Sequence, residues 1–79
     1  MNRPLALYYR DGCHLCEQML AELRALHGAD LPVTLVDVDG DASLRARYGE
    51  QVPVLMGGER MLGSGRLDRT RLEEYLSGK

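Results

Sequence analysis

The sequence has no tryptophan and no phenylalanine, only two cysteines and three prolines, and no large excess of either charge. Each shortage excludes something. Ten basic against twelve acidic side chains give a formal charge of -2, which leaves no electrostatic footprint for nucleic acid. The longest apolar run near the start, Leu5 to Tyr9, is too short for a bilayer span or a secretory signal. Small secreted domains reinforce an undersized core with several bridges, and two cysteines three residues apart close the loop that constrains the unfolded chain least. A structural staple is therefore a poor account of them. What remains is 79 residues, 44% apolar and 28% charged, the balance of a single soluble domain over residues 1–79. The expectation is a cytoplasmic monomer with neither nucleic acid nor membrane as partner.

Periodicity then divides the chain. Leu5-Ala6-Leu7-Tyr8-Tyr9 fits a central strand buried on both faces, and Arg10-Asp11-Gly12 breaks it. From His14 to His27, Leu15, Met19, Leu20, Leu23 and Leu26 are spaced as one apolar helix face, which Gly28 ends with a left-handed cap. His27 falls near the negative end of that helix dipole. Val33 to Val38 reads as a second strand, parallel to the first through a right-handed crossover. Asp41 can cap a short helix with Leu44 and Tyr48 facing inward and Gly49 stopping it. Val52 to Met56 and Glu59 to Leu62 read as two strands joined by a Gly57-Gly58 turn, with Gly63-Ser64-Gly65 as a loop. A last helix starts at Asp68, where Leu67 and Leu72 occupy the positions of a hydrophobic staple. The order β-α-β-α-β-β-α defines an α/β fold.

The chemistry concentrates at Cys13 and Cys16. A C-x-x-C pair near a βαβ pattern points to redox chemistry or metal binding. The expected helix begins at the pair, and the unpaired amides of a helix N-terminus favour an anion there. Thiolates in such settings have pKa values of roughly 3.5 to 7.5, against about 8.5 for a free cysteine. Cys13 is thus the expected nucleophile and Cys16 the more buried resolving thiol. Arg10 and His14 are candidates for tuning the thiolate, Arg10 being charged at every relevant pH. Pro53 is either an edge-strand proline or the site of a cis Val52-Pro53 bond, which would turn the Val52 backbone toward an incoming substrate.

Cys13-His14-Leu15-Cys16 after the first strand and Val52-Pro53 opening the third resemble the glutaredoxins, above all the short bacterial glutaredoxin-like proteins with a C-x-L-C site. The resemblance runs from Leu5 to Leu76 and implies a minimal thioredoxin fold with a mixed four-stranded sheet and flanking helices. It also implies a thiol–disulfide oxidoreductase in which Cys13 attacks a mixed disulfide and the Val52 backbone, before Pro53, binds glutathione. Arg10 stands where glutaredoxins often place a lysine. Gly63, Ser64 and Asp68 correspond to the segment that holds the γ-glutamyl group. No bound cofactor or metal is implied. Glutathione enters as a co-substrate, and the partner is glutathione or a disulfide-bearing protein. His14-Leu15 replaces the usual proline–aromatic pair, and Gln51 replaces a threonine.

Two other classes remain open from the residues alone. One is a metal or iron–sulfur handling protein, since soft thiolates suit copper and zinc. Against it, a zinc site wants four ligands, and Asp11 stands where small copper chaperones carry a methionine. The other is a non-catalytic adaptor that keeps the fold. Asp37, Asp39 and Asp41 begin like a calcium loop, but Ala42 and Tyr48 occupy its required glycine and glutamate positions, so these acids read as a strand end and a helix cap.

Overall fold

Alternating apolar residues and well-placed caps build the architecture in the computed structural model, which describes residues 4–28 and 31–78. The elements are β1 (Leu5–Tyr9), α1 (His14–His27), β2 (Val33–Asp37), a 3-10 turn (Val38–Gly40), α2 (Ala42–Tyr48), β3 (Val54–Gly57), β4 (Arg60–Ser64), β5 (Arg66–Leu67) and α3 (Arg69–Leu76). The sheet order is β2-β1-β3-β4-β5. β1 and β2 are parallel, with Leu7 opposite Leu35, and the remaining neighbours are antiparallel. This is the expected mixed sheet of a thioredoxin-like α/β fold, four main strands extended by the two-residue β5.

The alternation of side chains along β1 and β3 gives the sheet two apolar faces. On one, Leu5, Leu7, Leu55, Leu62 and Leu67 pack with Met19 and Leu23 of α1 and Leu72 and Tyr75 of α3. On the other, Tyr8, Val54, Met56 and Met61 meet Val38, Leu44 and Tyr48. The Tyr8 and Tyr48 rings lie 4.7 Å apart at their centroids. These tyrosines supply part of the bulk that the absent phenylalanine and tryptophan would have given.

Local chemistry sets the helix ends. The Asp41 carboxylate accepts from the Ser43 and Leu44 amides, and that of Asp68 accepts from the Arg71 amide. Each supplies an acceptor for amides that a helix start leaves unpaired. Leu67 and Leu72, either side of the Asp68 cap, are both buried, as a staple requires.

Three expectations change. Met19 and Leu23 of α1 are buried as expected, but Leu15 and Leu26 are 52% and 41% exposed. The buried stripe is Cys16, Met19 and Leu23, so a cysteine takes the inward position expected of a leucine. The hairpin turn is Gly58-Glu59, not Gly57-Gly58, because Gly57 pairs with Arg60 inside the sheet. A Cβ on Gly57 would lie 2.7 Å from the Tyr75 ring, so that glycine makes room for α3. Gly63 and Ser64 belong to β4 and not to a loop. Gly63 lies so close to β5 that an added Cβ would stand 2.6 Å from the Arg66 carbonyl oxygen, and Gly65 turns the chain at φ 74°.

Candidate active site

β1 delivers the chain to a tight turn, Arg10 to Cys13, in which the Cys13 amide donates to the Arg10 carbonyl at 3.2 Å and Gly12 adopts φ 75°. Cys13 is the N-cap of α1. Its Sγ accepts the Cys16 amide at 3.1 Å, and its carbonyl accepts the Glu17 amide at 3.2 Å. The sulfur thus sits at the positive end of a 14-residue helix. Cys13 and Cys16 form a disulfide with Cα atoms 5.2 Å apart. Cys16 is only 4% exposed, whereas Cys13 is half-buried. The two sulfurs are therefore unequal in access, Cys13 being the more accessible.

β3 brings the second part of the site to the same end of the sheet. Tyr8 pairs with Val54, so Pro53 falls beside the end of β1 from which the Cys13 turn departs. The Val52–Pro53 bond is cis and Pro53 is fully buried. The Pro53 carbonyl accepts the Gly65 amide at 2.8 Å, and the Ser64 hydroxyl donates to the Gln51 carbonyl at 3.2 Å. The β4–β5 turn is thereby tied to the Pro53 corner. The Val52 amide donates to the Tyr48 carbonyl at 3.1 Å. The Val52 amide is thus engaged within the protein.

The residues expected to tune the thiolate are placed differently. Arg10 donates through Nε and Nη2 to the Asp39 carboxylate at 3.1 and 2.8 Å, and through Nη1 to the Gly49 carbonyl at 3.0 Å. The hydrogen bonds Arg10 donates to Asp39, and then the Asp39 charge, hold the Arg10 pKa above its ordinary value, and Asp37 adds to this. Arg10 thus links the turn before Cys13 to the 3-10 turn and to the end of α2. His14 is 81% exposed, with Nδ1 3.8 Å from Glu17 Oε2.

The residues aligned with a γ-glutamyl segment divide similarly. Gly63 sits in close backbone packing, and Asp68 caps α3 while its Oδ2 lies 3.5 Å from Arg71 Nε. Ser64 and Asp68 are both exposed, but of the three only Ser64 lies opposite Val54, next to Pro53.

A cavity of about 210 Å³ opens beside the disulfide. Leu7, Leu20 and Leu35 form its apolar wall, while Arg10, Asp11 and Glu17 bring charge. It lies between α1 and the β1–β2 edge, and Leu35 there is 47% exposed. On the other side of α1, the exposed Leu15 shares a smaller cavity with Gly65, Arg66 and Leu67. Among the described residues, no group of three or more His, Cys, Asp or Glu side chains is placed to hold a metal ion. No helix among them is long and apolar enough to cross a membrane.

Asp39 and Leu35 join the surroundings of the disulfide without a role expected from the sequence, and Leu15 of the motif stands exposed where a core position was expected. A signal for Asp39 existed in the acidic run. Asp37 accepts the Asp39 amide and Asp41 caps α2, which leaves the middle carboxylate without a local task and available to a distant cation.

Residues 4–77 match the family described as Glutaredoxin-like domain (DUF836). The uncharacterized protein Rv0508 of Mycobacterium tuberculosis is 35% identical over 79 residues, covering 91% of this chain and 81% of its own. Protein Ne2328 of Nitrosomonas europaea, known from its solution NMR structure, superposes with a TM-score of 0.82 at 35% identity, covering 96% of this chain and 93% of its own. The X-ray structure of XcR50 from X. campestris gives 0.71 at 38% identity, covering 95% and 97%.

Proposed function

This chain belongs to the glutaredoxin-like domain family, and from that premise we propose that it is a thiol–disulfide oxidoreductase working through the Cys13–Cys16 couple. Its partner is a disulfide-bearing protein or glutathione. One observation carries the proposal: Cys13 caps α1 with its Sγ 3.1 Å from the Cys16 amide, while Cys16 is buried directly behind it.

In the reduced protein the Cys13 thiolate, favoured by the helix N-terminus, attacks one sulfur of a substrate disulfide. That S–S bond breaks, a Cys13–substrate disulfide forms, and the first thiolate leaves and takes a proton from solvent. Cys16 then loses its proton and attacks the Cys13 Sγ. The intramolecular disulfide forms and the second substrate thiolate leaves. Two electrons pass from the protein dithiol to the substrate disulfide, the ordinary route of thiol–disulfide exchange. The Pro53 corner supports this use, because Val52 and Pro53 immediately precede Val54, which pairs with Tyr8 near the end of β1 that leads into the Cys13 turn.

Turnover of a protein disulfide such as that of insulin, driven by dithiothreitol, tests the proposal. The expected result is loss of activity above background in Cys13→Ser and a persistent mixed disulfide in Cys16→Ser. Full activity in Cys13→Ser would overturn it.

A further inference from the structure

The charges lining the cavity beside the disulfide on the β2 side of α1 are lopsided. Of the ionisable groups lining the cavity beside it, Asp11 and Glu17 are acidic and Arg10 is the one cation among the described lining residues. Arg10 is already engaged. Its Nε and Nη2 meet Asp39 at 3.1 and 2.8 Å and its Nη1 meets the Gly49 carbonyl at 3.0 Å. Asp37 also acts on it electrostatically. One cation therefore stands among Asp11, Glu17, Asp37 and Asp39. An exposed His14 lies beside Glu17 at 3.8 Å.

We propose that the site selects disulfides carrying positive charge over anionic ones such as oxidised glutathione, and that Asp39 is the residue that sets this preference by occupying the Arg10 guanidinium. The proposal rests on the exchange chemistry above and specifies its substrate class. Glutathione carries two carboxylates and one ammonium group, so its disulfide approaches with a net charge of about -2 near neutral pH. It meets Asp11 and Glu17, while the guanidinium that would pair with its carboxylates is held bidentately by Asp39. A disulfide flanked by ammonium groups meets the same carboxylates as attraction, and the apolar wall of Leu7, Leu20 and Leu35 accepts its methylenes. Asp39 acts as a positioning residue, through Arg10.

Two small disulfides of opposite charge test this directly. Reduced protein is mixed with cystamine or with oxidised glutathione at low ionic strength, and a single turnover is followed by thiol release. Each rate is divided by that of dithiothreitol with the same compound, which removes their intrinsic difference in reactivity. The expected ratio favours cystamine on the order of tenfold, the low end of electrostatic steering. It falls toward unity at 1 M salt, where the screening length is about 3 Å. Asp39→Ala lowers the ratio by about two- to five-fold, the range of one exposed ion pair. Arg10→Ala combined with Asp39→Ala restores the wild-type ratio, because neither the guanidinium nor its partner is then present. Glu59→Ala, which removes an equal charge at the hairpin on the opposite end of β3, leaves the ratio unchanged.

A corrected ratio near unity in the wild type, or one that salt does not alter, overturns the proposal without any variant. So does an Asp39→Ala effect no larger than that of Glu59→Ala. Reduced protein that forms no disulfide with either compound overturns the exchange chemistry itself, which separates the two failures.

Discussion

Besides the exchange chemistry proposed for it, the sulfur of Cys13 has a structural task, and replacing it in two ways isolates that task. As N-cap of α1, Cys13 accepts the Cys16 amide at 3.1 Å. A serine at position 13 keeps an acceptor at nearly the same place, and an alanine keeps none. Neither variant can form the disulfide, so comparing them removes that contribution. Losing a side-chain cap costs about 0.5–2 kcal/mol, typically near 1. The cost transmits to the core, because the next turns of α1 carry Met19 and Leu23, at 3% and 0% exposure. Cys13→Ser should therefore exceed Cys13→Ala in stability by about 1 kcal/mol, or about 4–8 °C in melting temperature for a domain of this size. Urea denaturation of both variants under reducing conditions measures the difference, and both should lack disulfide reductase activity. Equal stabilities, within about 0.3 kcal/mol of each other, would refute the assignment of Cys13 as a cap.

Three further outcomes follow from packing and capping. Gly57→Ala should destabilise the protein by about 1–3 kcal/mol, since its Cβ would meet the Tyr75 ring at 2.7 Å and the Tyr75 hydroxyl is anchored to the Pro4 carbonyl at 2.7 Å. Unchanged thermal stability would show that the ring can yield. Leu23→Ala should cost about 2–5 kcal/mol in chemical denaturation, because the side chain is fully buried between α1 and the sheet. Asp68→Ala should lower stability by about 0.5–2 kcal/mol through loss of the α3 cap, while Asp68→Asn retains most of it. If Asp68→Ala instead left stability intact and changed glutathione turnover, Asp68 would be a substrate-binding residue and not a cap.

Much of this was legible in the sequence because it depends on short-range chemistry. The caps at Asp41 and Asp68, the Leu67–Leu72 staple and the span of α1 are each set by neighbours within a few residues. So was the place of Cys13 and Cys16 at a helix start. What escaped depends on contacts between distant segments. Gly57 and Gly63 look like turn residues, and only the approach of Tyr75 and β5 shows why they lie in strands. Leu15 has a core residue's spacing, but the sheet meets α1 along Cys16, Met19 and Leu23 and leaves it outside. Arg10 was legible as a charged neighbour of the thiols, whereas its pairing with Asp39 spans 29 positions and depends on how β2 and the 3-10 turn return to β1.

The proposed function requires Cys13 and Cys16 to form a reversible couple with unequal members. A redox titration of the protein in glutathione buffers, with thiols counted after acid quenching, tests it most directly. One reversible transition between dithiol and intramolecular disulfide is expected, with the two-electron slope of about 30 mV per tenfold change in ratio. In the reduced protein, alkylation should fall first on Cys13, with a pH midpoint below the ordinary thiol value of about 8.5. A protein that never closes the bridge, or whose two cysteines alkylate alike at the ordinary thiol pH, would contradict it.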